Sequence, residues 1–199
     1  MKREGSRFSL EELNLVISNW EKIADEFGGK FKLLATKNDN RNLFYQAINP
    51  NNIDHIETVS YSIEVKIPFL GENILIKTSE YVTTKFSFET LKNDFSFSIS
   101  NEDYLDKIGK FFGSKETQIE QPDFDKKFLI DTNESNKLKD FLDFKIRTWL
   151  ENLSIAYFDL NTIKSRGGLT LFFVFDEFSI EKIREQIEMF KYCITRLKK

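Results

Sequence analysis

Apolar and polar residues alternate strictly from Thr58 to Phe69, and this pattern constrains the fold more than any other feature of the chain. Successive side chains of an extended segment point to opposite faces, so the alternation predicts a β-strand with one apolar and one polar face. Similar short segments follow as far as residue 100, separated by turns such as the one at Gly71. Short connections are typical of hairpins, so the region predicts an antiparallel meander. The residues predicted to face its core are Tyr61, Ile63, Val65, Ile67, Phe69, Val82, Thr84, Phe86, Phe88, Phe95, Phe97 and Ile99.

Two long amphipathic helices are predicted at the ends of the chain, over residues 9–27 and 179–197. The first has capping-box spacing between Ser9 and Glu12 and is followed by Gly28 and Gly29, which are typical of a helix end. In both helices apolar residues recur at intervals of three and four. Such narrow apolar seams pack on a sheet or against a second copy of the chain, so a homodimer through the terminal helices is one expectation. The candidate interaction residues on these seams are Trp20, Ile187, Phe190 and Ile194.

The segment from Pro122 to Leu153 predicts a strand, a turn and a third amphipathic helix. Phe124, Phe128 and Ile130 would share one face of the strand, and the Thr132 or Asn133 side chain would cap the helix. The predicted apolar stripe of that helix contains Leu138, Phe141, Leu142, Ile146, Trp149, Leu150 and Leu153, and it leaves Phe144 outside.

These patterns predict an α+β fold, in which an antiparallel β-meander sheet is packed by amphipathic N-terminal, middle and C-terminal helices. We expect a single compact domain over residues 1–199, with two subdomains that meet near residue 101: helix plus meander before it, and α+β structure after it. Leu169–Phe175 is apolar on both faces, which predicts a central strand. A strand over Asn42–Ile48 and a short helix over Asn101–Gly113 complete the prediction.

The overall charge argues against a general affinity for nucleic acid. The chain has 199 residues and a formal net charge of −3, so it lacks the positive field that attracts phosphate backbones. Cys193 is the only cysteine, so the chain cannot form an internal disulfide, and this is typical of a protein in a reducing compartment. The N-terminal MKREGSRF precedes no apolar run, and no stretch is long and apolar enough to span a bilayer. We therefore expect a cytoplasmic protein.

Catalytic and cofactor signatures are missing from the sequence. His55 is the only histidine, so zinc sites of the Cys/His type are excluded, and no phosphate-binding glycine loop is present. We therefore predict no cofactor and no catalytic residue. Asp123 and Asp125 are the candidate metal ligands, because acids two apart on a strand share a face and carboxylate oxygens suit Mg²⁺ or Ca²⁺.

The second half of the chain carries a short motif, Phe124-Asp125-x-x-Phe128-x-Ile130, between a helix and a strand-rich segment. In this setting the region over about residues 81–199 resembles a widespread bacterial domain family of unknown function, in which a Phe-Asp-x-x-Phe-x-Val segment recurs. This chain has Ile130 in place of the valine and lacks the membrane segments of some members. The resemblance implies a bacterial origin and a fold, and it assigns no catalytic residue.

Taken together, the sequence favours a non-enzymatic interaction or accessory module that binds an unknown partner protein in a bacterial cytoplasm. Two alternatives stay open at this point. One is a metal-assisted hydrolase that uses clustered carboxylates around Asp123 and Asp125. The other is a carrier of an apolar ligand, because the 21 phenylalanines could line a cavity between sheet and helices.

Overall fold

The computed structural model describes residues 10–38, 58–79, 83–89, 95–101, 117–153, 155–161, 168–174 and 179–198. These residues form helices and antiparallel strands, which confirms the predicted α+β class. The predicted strand at 42–48, the predicted helix at 101–113 and His55 lie outside the described residues. The helices are α1 (Leu10–Glu26), α2 (Pro122–Lys127), α3 (Ser135–Phe141), α4 (Phe144–Asn152) and α5 (Ile180–Leu197). The strands are β1 (Lys30–Asn38), β2 (Thr58–Phe69), β3 (Glu72–Ser79), β4 (Thr83–Phe88), β5 (Phe97–Asn101), β6 (Phe128–Thr132), β7 (Ile155–Asn161) and β8 (Gly168–Val174).

The strand order is β1-β2-β3-β4-β8-β7-β5-β6, so the sheet is a sequential meander only as far as β4. The last two strands of the chain, β8 and β7, lie between β4 and β5, which places the apolar strand β8 in the interior as predicted. A Cβ atom on Gly168 would lie 2.3 Å from the carbonyl oxygen of Phe88, so β8 begins where a side chain could not fit. The sequential meander therefore ends at β4, whose neighbour in the sheet is β8.

The chain divides into two compact units. The first comprises Met1–Thr84 with Asp176–Ile180, and the second comprises Lys85–Phe175 with Glu181–Lys199. The division falls inside β4, whereas the sequence placed the subdomain boundary near residue 101. It falls there because β7, β8 and most of α5 return to the strands of the second unit.

The first unit packs α1 on the strands β1 and β2. The predicted alternation is confirmed: Ile63, Val65 and Ile67 are at most 5% exposed, and the residues between them are not buried. Gly28 ends α1 in the left-handed conformation, at φ 62°, and the next amide, that of Gly29, donates to the carbonyl of Ala24 at 2.7 Å.

Phenylalanine rings fill the interior of the second unit. Phe97 lies 5.2 Å from Phe141 and 5.1 Å from Phe158 between ring centroids, and Phe95 lies 5.4 Å from Phe97. All four rings are at most 5% exposed. Rings at these distances contact each other directly, so in this part of the core the phenylalanines are packing volume.

Residues 122–153 differ from the prediction in three places. The predicted side-chain cap from Thr132 or Asn133 is wrong, because α3 has Glu134 at its N-cap with no side-chain cap and the Asn133 side chain accepts from the amide of Ser96. Pro122–Lys127 is a helix, because Pro122 stands at its first turn and the backbone of Asp125 closes onto Gln121. The strand begins only at Phe128. The single helix predicted after it is two helices, α3 and α4, since the chain turns at Leu142–Asp143 and Asp143 caps α4.

Candidate functional site

The two predicted metal ligands lie in α2 and face different environments. Asp123 is exposed, whereas the Asp125 carboxylate accepts hydrogen bonds from the backbone amides of Ile119 and Gln121, both at 2.9 Å. Asp125 therefore closes the turn before α2. The centroid of the Phe124 ring lies 4.6 Å from that of the Phe128 ring. The Phe-Asp-x-x-Phe motif is therefore explained by the packing of its two rings and by the hydrogen bonds of Asp125 to the backbone. Over the described ranges no three His, Cys, Asp or Glu side chains come together as a metal site.

The four predicted interaction residues lie inside the protein. Trp20, Ile187, Phe190 and Ile194 are each 0% exposed. Phe190 contacts the ring of Phe86 at 5.6 Å, so it belongs to the core of the second unit. An interface of this protein would be built from other side chains, and the homodimer stays a prediction without support from these residues.

A network of hydrogen bonds joins the α3–α4 junction to the C-terminal half of α5. One carboxylate oxygen of Asp143 accepts from the amide of Ile146 at 2.9 Å, which caps α4. Its other oxygen accepts from the hydroxyl of Tyr192 at 2.7 Å and pairs with Arg196 Nη1 at 3.0 Å. Arg196 Nη2 also donates to the backbone carbonyl of Asp140. One carboxylate thus fixes the start of α4 and its position on α5.

The network sets the charge state of its members. Desolvation pulls the pKa of Asp143 upward, but the amide of Ile146, the hydroxyl of Tyr192 and the guanidinium of Arg196 outweigh it, so this pKa lies below its usual value. The hydrogen bond to Asp143, together with desolvation, raises the pKa of Tyr192. Burial raises the pKa of the Cys193 thiol far above its ordinary range. Cys193 is thus a buried thiol without the thiolate character that nucleophilic chemistry requires.

Beside this network Lys145 lies over the rings of Trp149 and Tyr192, and Phe144 begins the same helix one residue before Lys145. We call these three aromatic residues and the lysine the aromatic corner. The Lys145 ammonium lies 4.7 Å from the ring centroids of both Trp149 and Tyr192. These two rings meet edge to face at 5.7 Å and are half-buried. Phe144, at the first position of α4, is 77% exposed, the largest exposure of any large apolar residue that the structure describes.

The polar groups around the aromatic corner are held in intramolecular hydrogen bonds. The Asp143 carboxylate beside the corner is committed to three partners, and the Thr148 hydroxyl donates to the backbone carbonyl of Phe144. Trp, Tyr and Arg side chains are the types that dominate binding energy at protein interfaces. The sequence pattern does not reveal this surface, because the apolar stripe continues across Asp143 and predicts one uninterrupted helix. The one available signal was Phe144, which did not fit the apolar stripe.

Comparison with known proteins gives one likeness in structure. No protein-family model matches the sequence, and no curated protein matches it. The fold is similar to the crystal structure of the mycobacterial trehalose monomycolate transport factor A, TtfA, over 91% of this chain and 95% of that chain, with a TM-score of 0.50 and 8% sequence identity. At that identity the likeness concerns the fold alone. None of the helices that the structure describes has the length and apolar character needed to cross a bilayer.

Proposed function

We propose that this protein is a non-catalytic accessory module that binds a partner protein through its aromatic corner. The observation that carries the proposal is the position of Phe144. Phe144 leaves 77% of its surface in water at the start of a helix that Asp143 caps, so burying its ring against a partner would remove a large apolar area from water. A partner with an apolar pocket would bury it.

The backbone beneath Phe144 is held on both sides, which favours tight binding. The hydroxyl of Thr148 donates to the carbonyl of Phe144 at 2.8 Å, and Asp143 caps the same helix one residue earlier. Arg147 also donates to the carbonyl of Leu142 at 2.9 Å. An anchor on rigid backbone loses little conformational entropy when it binds, so more of the contact energy contributes to affinity.

The partner we propose has an acidic rim around an apolar pocket. Lys145 adjoins Phe144 in sequence, and its ammonium group lies over the Trp149 and Tyr192 rings of the corner. The ammonium group lies over two rings, and among the described residues no carboxylate is paired with it, so a carboxylate of the partner could approach it. Charge complementarity of this kind guides encounter and register, while the aromatic anchor supplies most of the affinity.

The likeness to TtfA supports an accessory role, because TtfA is a transport factor. We include in the proposal a bacterial cytoplasmic setting, which the single buried Cys193 supports. Membership of the bacterial domain family that the Phe124–Ile130 motif resembles also remains a proposal. In it the motif's Asp125 would have the structural role that its two backbone hydrogen bonds suggest.

Site-specific photo-crosslinking in cells of the native host tests the proposal. A benzophenone amino acid placed at Phe144 should give a discrete covalent adduct with one protein, and the adduct should weaken when Lys145→Glu is added. The matched control is Leu70, another exposed apolar residue, at 53%, in a hairpin turn of the other unit. A crosslinker at Leu70 should give no such adduct. The same products from both positions, or only a diffuse background from Phe144, would exclude the proposed interface.

A further inference from the structure

The solvent face of β1, β2 and β3 carries a cluster of lysines. The strands are antiparallel, and Lys30 pairs with Lys66 while Lys32 pairs with Glu64, which in turn pairs with Lys77. Residues directly opposite each other share a face, so four lysines surround one glutamate there. We call Lys30, Lys32, Lys66 and Lys77 the lysine face. The lysine face is positively charged, although the whole chain has a formal net charge of −3.

Glu64 neutralises only part of this charge. Its carboxylate lies 3.3 Å from the Lys77 ammonium and 3.5 Å from that of Lys66. Desolvation acts to raise its pKa, but the two lysines outweigh it and the pKa is lowered. Lys30 and Lys32, on β1, are exposed and make no ion pair that the structure describes. The uncompensated charge is therefore concentrated on one strand.

β1 stands at one end of the described sheet order. The face of β1 opposite its lysines is apolar and incompletely covered. β1 pairs with β2 over all nine residues in one continuous register, and no other described strand pairs with it. Leu33 is opposite Ile63, yet Leu33 is 40% exposed and Ile63 is 5% exposed. The apolar layer thus continues to the edge of the sheet and stops there with a leucine partly in water.

We propose that the outer edge of β1 binds an extended segment of a partner protein in which acidic and apolar residues alternate. Such a segment would extend the sheet by one strand through backbone hydrogen bonds. Its acidic side chains would lie beside Lys30 and Lys32, and its apolar side chains would cover Leu33. The alternation is required because neighbouring side chains of a strand point to opposite faces. This site is separate from the aromatic corner and would exist even if the corner bound nothing.

A second copy of the chain fits this edge poorly. If two β1 strands paired antiparallel with lysine faces aligned, the lysines of one copy would lie beside those of the other, and like charges on neighbouring strands repel. If the faces were mismatched, Leu33 of each copy would lie beside lysines. A basic edge strand is a common protection against self-association. The charge therefore selects an acidic partner and disfavours a homodimer through this edge.

Fluorescence anisotropy with a labelled Glu-Val-Glu-Val-Glu-Val-Glu peptide and the full chain tests the proposal. We expect saturable binding, about tenfold weaker for the Lys30→Glu/Lys32→Glu double variant and unchanged for Lys126→Glu, which reverses an exposed lysine of the second unit. A peptide of identical composition with the acids and valines in two blocks should bind far less well. Equal binding of the block peptide, or no loss in the double variant, would overturn the proposal.

Two N-methylated peptides separate strand addition from simple charge attraction. In an added antiparallel strand, only every second residue directs its amide toward the edge. Methylating the amides of alternate residues in one set should abolish binding, and methylating those of the other set should leave it. If both methylated peptides bind as the parent does, the peptide is held by charge alone and β1 does not accept a strand.

Discussion

The aromatic corner and the lysine face both present ammonium groups to solvent, but different forces hold them. In the corner, Lys145 lies over two rings that a carboxylate network keeps in place. On the lysine face, Lys30 stands directly across from Lys66, so neighbouring cations repel each other. The corner is consequently defined by geometry and should tolerate salt, whereas the lysine face is defined by charge and should weaken as salt rises.

The largest expected effect is on the carboxylate that holds the corner together. Asp143→Ala removes a helix cap and the acceptor for Tyr192 and Arg196, so we expect a loss of about 2–3 kcal/mol in the free energy of unfolding. Urea denaturation followed by circular dichroism measures it. The control is Asp140→Ala, because Arg196 bonds only the backbone carbonyl of Asp140 and its side chain is exposed. Equal losses in both variants would mean that the network does not brace the corner.

The second effect separates a structural acid from a solvated one in the same helix. Asp125→Ala removes two hydrogen bonds to backbone amides, and we expect a loss of about 1.5 kcal/mol; Asp123→Ala should change stability by less than about 0.5 kcal/mol. Chemical denaturation checks both variants, and a thermal-shift series with Mg²⁺ and Ca²⁺ checks the metal hypothesis. A saturable metal-dependent stabilisation lost in both variants would restore the predicted metal site.

Acid should weaken the corner through Asp143. The folded-state pKa of this carboxyl is below its ordinary 3.8, so its contribution to stability is complete above that value and is lost as the pH falls through the lower one. We expect the stability difference between wild type and Asp143→Asn to shrink from about pH 5 to about pH 2. Glu64→Gln should show a weaker trend, because the lysines around Glu64 are half-exposed and screened. A pH-independent Asp143→Asn difference would contradict this assignment.

The smallest effects are expected on the lysine face, and they have opposite signs. Lys30→Glu creates an opposite-charge pair with Lys66 and should stabilise the fold by about 0.5 kcal/mol, whereas Lys32→Glu places like charges opposite Glu64 and should destabilise it by a similar amount. Thermal unfolding at low salt and at about 1 M NaCl measures both, and both effects should vanish at high salt. Two changes of the same sign would show that charge pairing does not govern this face.

Sequence periodicity predicted the first unit better than the second. β2 coincides with the predicted strand, because in a half-buried strand apolar residues of the buried face alternate with polar residues of the exposed face. The sequence pattern does not show the break between α3 and α4 at Asp143, because Phe141, Leu142 and Ile146 continue one apolar stripe across the two helices. The strand order was missed after β4 because pairing with β8 depends on contacts distant in sequence.

The candidate surfaces were less predictable than the fold for a related reason. Trp20 and Phe190 looked suited to an interface because they are large and periodic, and those same properties place them in the core. The aromatic corner depends on Tyr192 meeting Asp143, a pairing of residues 49 positions apart that no local pattern encodes. The lysine face depends on strand register, which only the structure supplies.

The most direct test of the central claim is quantitative co-purification from the native host with Phe144→Ala and Leu70→Ala. Both positions are exposed, so both variants should keep wild-type stability within about 0.5 kcal/mol. We expect Phe144→Ala to lose its partner, with affinity reduced at least about 30-fold as for an interface hot spot, and Leu70→Ala to retain it. A Phe144→Ala protein that is stable and still recovers the same partner in wild-type amount would contradict the account.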